Sequence, residues 1–149
     1  MTEATLTTAK TPWHLWLVGI VAVLFNAVGA FDYVMSKTQG EAYMAGAGMT
    51  PEQIAFMMDY PVWMNVVWPI GVWGAFAASV LILLRKKLAV PVFLISTVAW
   101  FVSLLYTYIL TNGGEIWGQS MHIVSVVITV LLLFFTWYAR EMTKRGVLT

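Results

Sequence analysis

The sequence predicts an all-α integral membrane protein, a bundle of four antiparallel transmembrane helices with a short amphipathic helix in one outer loop. Composition is the first observation. Of 149 residues, 60% are hydrophobic and only 10% are charged, and the mean hydropathy is +0.81. Soluble domains carry about 25% charged residues, and a soluble fold this small leaves much of its surface in water. The second observation is four long apolar runs. The third is the distribution of cations between them.

A spanning helix needs about 20 predominantly apolar residues. Trp13–Phe31, Pro61–Leu84, Leu88–Gly114 and Ile116–Ala139 each run free of Asp, Glu, Lys and Arg. Gly113, Gly114 and Gly118 separate the last two. The helices are therefore placed near residues 12–34, 61–84, 88–110 and 120–140 of a single membrane domain, 1–149. The preceding "MTEATLTTAKTP" is polar and carries Glu3, and the run after it is too long for a signal-peptide core. It reads as a retained first helix.

If the chain crosses four times, Lys10, Arg85, Lys86, Lys87, Arg140, Lys144 and Arg145 fall on one side and Lys37 alone on the other. By the positive-inside rule both termini are expected in the cytoplasm. The opposite side collects Asp32, Glu41, Glu52, Asp59 and Glu115. Trp13, Trp16 and Trp137 then lie at the inner boundary and Trp63, Trp68 and Trp117 at the outer one, where indole rings concentrate. Trp73 and Trp100 fall deeper and are expected to fill the bundle. Pro12, Pro61 and Pro91 occupy first turns, where a missing N–H costs little; Pro69 is interior and should kink its helix.

The loop 36–60 is the one long connection. In "TPEQIAFMMDYP" Thr50 caps, Pro51 takes the first position and Gln53 completes a capping box. Ile54, Met57 and Met58 then form one apolar stripe. Such a helix lies on the membrane surface or closes over the bundle.

Each span also carries a small or mildly polar stripe. The first shows Gly19, Ala22, Asn26 and Gly29; the second Gly71, Gly74, Ala75, Ala78 and Ser79. The third shows Ser96, Trp100, Ser103 and Thr107; the fourth His122, Ser125, Thr129 and Thr136. Small residues and interhelical hydrogen bonds join helices inside lipid, so a self-satisfying bundle is the simplest use of these stripes. Depth adds a second possibility. Asp32, Asn65, Trp68, Tyr106 and His122 lie near the outer ends of four helices, with Asn26 about 9 Å deeper than Asp32 along the first. These six form the candidate outer pocket. Asp32 could equally be a solvated end-of-helix carboxylate, Asn26 a helix–helix amide, and His122 a donor to a carbonyl.

Several chemistries find no foothold. Cysteine is absent, which removes thiolate sites and disulfides. A net charge of +1 recruits no nucleic acid. His14 and His122 fall at opposite faces, unsuited to bis-histidine haem. His122, Asp32 and Glu115 lack a zinc-protease spacing. No span has the midplane carboxylate that a proton-coupled exporter uses, and the unequal halves do not suggest an inverted-repeat transporter. No cofactor or metal is expected.

The stretches "WHLWLVGIVAVLFNAVGAFDY", "EAYM", "MTPEQIAFMMDYPVW" and "WYAREMTKRGVL" resemble a group of small four-span bacterial inner-membrane proteins of uncharacterised function, some labelled sugar transporters. The resemblance covers nearly the whole chain and implies the fold and the compartment. Its pattern residues are Trp13, His14, Asn26, Gly29, Asp32, Tyr33, Tyr43 and Met44, and no catalytic role comes with them. The expected function is a non-enzymatic accessory or small-ligand or lipid-binding role in the bilayer, as a homo-oligomer or within a larger membrane complex. The alternatives are a small-solute transporter acting as an oligomer and a membrane enzyme built on Asp32 and His122.

Overall fold

The computed structural model describes residues 9–149; the polar stretch before residue 9 lies outside the described residues. The described chain is all-helical: α1 (Trp13–Gln39), α2 (Glu41–Gly46), α3 (Pro51–Met58), α4 (Met64–Leu83), α5 (Ala89–Leu105) running into a π-helical turn (Tyr106–Leu110), and α6 (Gly113–Lys144). Four of these segments, α1, α4, α5 with its π turn, and α6, are long and apolar enough to cross a membrane. That marks a multi-pass membrane protein.

Helix ends differ most from the sequence expectation in two places, while α4 begins three residues later, at Met64, and α6 runs four residues further, to Lys144. The first helix continues past residue 34 to Gln39 and stops at Gly40, whose φ of 55° is ordinary only for glycine. The last begins at Gly113 rather than near 120. Gly113 and Gly114 are helical, and only Gly118, with φ 66° and ψ −168°, leaves helical geometry before the helix resumes. The loop starts at Gly40 and contains α2 as well as α3. In α3 the Thr50 side chain accepts from the Gln53 N–H at 3.3 Å while the Gln53 side chain accepts from the Thr50 N–H at 3.0 Å.

Packing follows chain order. α1 lies on α4, α4 on α5 and α5 on α6. The α4–α5 contact is close because Gly74 offers no side chain: a Cβ there would stand 3.2 Å from Ser96 Cβ. The Ser96 hydroxyl donates across the same seam to the Gly71 carbonyl. Elsewhere the polar stripes pair off. Asn26 Nδ2 on α1 donates to Ser79 Oγ on α4 at 3.0 Å and to the Ala22 carbonyl at 2.9 Å. Trp100 Nε1 on α5 donates to Thr129 Oγ1 on α6 at 2.9 Å, and Thr97 meets Thr136 at 3.3 Å. Among the described residues no buried side-chain N or O lacks a partner. In lipid that completeness matters, because no water is present to satisfy an orphan.

The two depths of the molecule are built differently. Leu15, Ile82, Phe93, Phe135, Tyr138 and Met142 form one aliphatic and aromatic core, at the end where α1 begins and α6 finishes. His14 Nδ1 and Tyr138 Oη close it at 2.6 Å. Residues 145–149 fold back on this end. The Thr149 N–H donates to the Arg85 carbonyl at 3.0 Å, the Lys87 N–H donates to the Thr149 carbonyl at 3.1 Å, and Leu148 is only 2% exposed. Outward-facing positions such as Leu24, Val28, Val126 and Val130 are exposed and apolar, as a lipid-facing surface requires. Trp73 belongs with them: 42% exposed, it does not fill the bundle as its depth suggests, whereas Trp100 packs inward. The difference lies in the face each indole occupies, which depth along a helix does not specify.

One prediction arises here. Asn26→Ala should remove the α1–α4 hydrogen bond and destabilise the bundle by about 0.6–2 kcal/mol, the range for interhelical polar contacts in membranes. Steric-trap or denaturant unfolding in detergent reads this directly, and an unchanged midpoint would show the bond contributes nothing.

Candidate functional site: the helix ends beside α2 and α3

The six candidate residues divide into four settings. Asn26 is 8% exposed and engaged with Ser79, so it serves the α1–α4 seam. Asp32 lies at the surface, where the Tyr43 hydroxyl donates to its Oδ1 at 3.0 Å. That hydrogen bond pushes the Tyr43 phenol above its ordinary pKa, with burial and the carboxylate charge adding to it. Asp32 thus ties α2 to the C-terminal part of α1.

Asn65, Trp68 and Tyr106 do come together, through partners the sequence reading did not single out. Asn65 Oδ1 accepts from Lys37 Nζ at 2.6 Å, and its Nδ2 donates to the Tyr60 and Pro61 carbonyls at 3.3 and 3.4 Å. The same ammonium stands 5.3 Å from the centre of the Trp68 ring, a cation–π distance. Trp68 meets Tyr33 edge-on at 4.9 Å and Tyr60 at 6.3 Å. Tyr60 continues to Tyr106 at 5.6 Å, and Tyr106 to Trp63 at 5.3 Å and Phe56 at 5.9 Å. The region is an aromatic cluster, edge-to-face in all of these pairs except the tilted Phe56–Tyr106, and pairs of this kind are each worth about 0.5–1.5 kcal/mol beyond area burial. Tyr60 is its hub. Burial, and then the neighbouring Tyr106, push its phenol up to about 12.

A pH dependence follows. A phenol with a raised folded pKa contributes stability that is fully present below pH 10 and is lost as pH rises from 10 through about 12. The loss should amount to at most about 3 kcal/mol. Tyr60→Phe should flatten this part of the stability curve relative to the parent chain. Parallel alkaline unfolding curves for the two proteins would show that the hub is solvated.

His122 stands apart, its ring 5.2 Å from that of Tyr108. Tyr108 in turn pairs its hydroxyl with Ser125 at 3.0 Å. The π turn puts these residues in the same neighbourhood: Thr111 Oγ1 donates back to the Tyr106 and Thr107 carbonyls at 2.8 and 3.3 Å, and α6 starts immediately beyond. Near the Gly118 break, Gln53 Nε2 on α3 donates to the Ile116 carbonyl at 3.1 Å. An open cleft of about 470 Å³ results, lined by Tyr108, Thr111, Asn112, Glu115 and His122.

The chemistry available in these settings is hydrogen bonding and charge, with no assembled reaction centre. No hydrogen bond or ion pair joins Asp32 to His122, and among the described residues no three His, Asp or Glu side chains gather closely enough to hold a metal ion. The polar cleft can receive a small hydrogen-bonding solute, and the aromatic cluster is filled by its own side chains. Nothing in the sequence assigns Tyr60 or Lys37 to this cluster: Lys37 stands out only as the lone cation of its side, while Tyr33 and Tyr108 are visible as a pattern residue and as an aromatic near the end of the third span. Only "MDYP", a tyrosine between a helix end and a proline, hinted at an inward-turned ring. Comparison with family models, with curated proteins and with solved structures finds no match.

Proposed function

We propose that this chain is a bacterial inner-membrane protein with a non-enzymatic accessory role. It crosses as four antiparallel spans, keeps both ends in the cytoplasm, and carries α2 and α3 on the outer face. One observation supports the reading best. The polar side chains of the spans bond one another across helix seams, and those at the outer ends are engaged in aromatic and amide contacts. That arrangement suits a scaffold that holds a partner or a lipid. The membrane enzyme built on Asp32 and His122 would need those groups within about one water of each other. Asp32 is instead engaged with Tyr43 and His122 lies against Tyr108, so that reading has no support.

Gentle detergent extraction followed by size analysis tests the role. A stable homo-oligomer or a complex with one specific partner is the expected result. A clean monomer with saturable binding of a small solute would overturn it in favour of the second reading. That reading is a small-solute transporter, a sugar among the possible cargoes, working as an oligomer because four helices alone give a narrow path. The open polar cleft beside His122 is what favours it. Topology has a separate test, helped by the absence of native cysteine. Glu52→Cys should react with an impermeant maleimide in intact spheroplasts, and Lys86→Cys only after lysis; the reverse pattern would invert the orientation.

A further inference from the structure

At the basic end, opposite the aromatic cluster, α5 and α6 leave a groove of about 500 Å³ lined by Lys87, Leu88, Val90, Pro91, Arg140, Thr143 and Lys144. Its walls are Leu88, Val90 and Pro91, and its rim is cationic. Arg140 and Lys144 lie one turn apart on α6, the spacing that puts two side chains on one helix face, and Lys87 approaches from the α4–α5 turn. Among the described residues the sole ion pair is Arg145 with Glu141, so none of the three rim cations has a carboxylate partner there. Among the described residues none of their side chains makes a hydrogen bond either, although Arg85 close by donates its Nε to the Val147 carbonyl. Three cations with no carboxylate partner among the described residues, at the mouth of an apolar groove level with the end of the spanning segments, form a mixed surface. It matches a molecule with a phosphate at one end and hydrocarbon at the other.

We propose that this groove is a binding site for one anionic glycerophospholipid of the cytoplasmic leaflet, its phosphate held by Lys87, Arg140 and Lys144 and an acyl chain laid along Leu88, Val90 and Pro91. Thr143 does not compete for the phosphate, because its hydroxyl proton is committed to the Ala139 carbonyl at 2.8 Å. Basic residues at the cytoplasmic surface each contribute about 1 kcal/mol towards anionic lipid, so three acting together favour it over a zwitterionic lipid by on the order of a hundred-fold. The site is distinct from the outer ends of the helices, and its occupancy does not depend on whether the protein is an accessory subunit or a transporter.

Native mass spectrometry of the full chain in non-ionic detergent tests this, with phosphatidylglycerol and phosphatidylcholine of identical acyl chains as the probes. Selective retention of phosphatidylglycerol is expected. The triple variant K87Q/R140Q/K144Q should bring its binding down to the phosphatidylcholine level with the melting temperature unchanged. Pro91→Trp keeps all three charges but fills the groove, and should also lose the selectivity. Equal retention of both lipids would overturn the proposal, as would selectivity that survives both variants. Selectivity lost in the triple variant but kept in Pro91→Trp would show a general surface attraction and no groove. Displacement of the lipid by millimolar glycerol phosphate would show a site for the soluble anion, and would equally overturn it.

Discussion

Leu148→Asp should destabilise the protein by about 3–6 kcal/mol and expose the loop between α4 and α5. Leu148 and Val147 are both buried, and burying such a side chain stabilises by about 1.5–3 kcal/mol. A carboxylate in that position would not stay unpaired in an apolar site. The segment would undock instead, and the cost is capped at what docking contributes. Undocking also releases the two backbone bonds between Thr149 and the Arg85–Lys87 turn and the Arg85 side-chain bond to Val147. Arg85 holds a positive φ of 56°, a costly conformation for a residue with a Cβ, and it would relax once its partners left. Limited trypsin digestion reads the change: cleavage at Arg85, Lys86 and Lys87 should accelerate at least ten-fold, about what a loss of 1.4 kcal/mol already allows. Unaltered cleavage would mean the tail adds nothing to the fold.

Gly74→Leu should be the second most damaging change, separating α4 from α5. Even a bare Cβ meets Ser96 Cβ at 3.2 Å and Ser96 Cα at 3.7 Å, so a leucine has no room unless the helices move apart. Moving apart breaks the Ser96 bond to the Gly71 carbonyl and opens the seam against which Ala99 and Trp100 pack. Overpacking of this kind costs about 1–3 kcal/mol and occasionally more. Gly74→Ala is the control: a 3.2 Å contact can be relieved by a shift of a few tenths of an ångström, so its cost should be several-fold smaller. Equal effects from Leu and Ala, by thermal unfolding in detergent, would place the seam elsewhere.

The four apolar segments were legible because lipid imposes a length and a composition on any helix that crosses it. The capping box at Thr50 and Gln53 was legible because it is a local exchange of hydrogen bonds. The stripes of Asn26, Ser79, Ser96, Trp100 and Thr129 were readable as seams, since spacing alone puts them on one face. Which seam each would join was not readable, because that depends on how the helices are ordered in space. The candidate outer pocket shows the same limit. Depth along a helix was inferred well enough to group Asn65, Trp68 and Tyr106, but azimuth was not, so Asp32, Asn26 and His122 point to three other neighbourhoods. Trp73 failed for the same reason. Gly113, Gly114 and Gly118 mark the boundary between the last two spans in sequence, but the break itself falls at residues 111–112, and Gly113 and Gly114 already belong to α6. The docking of Leu148 had no signal at all, because a short polar-looking "RGVLT" following a helix reads as a tail.

Because each membrane segment leans chiefly on the one synthesised just before it, assembly can keep pace with emergence from the ribosome. No early segment need wait unpaired in lipid for a distant partner. Two closures remain for the end, the clasp of His14 on Tyr138 and the fold-back of the final residues onto the Arg85 turn. Both engage material made much earlier, so they act as a latch that shuts only after α6 and the segment following it have emerged.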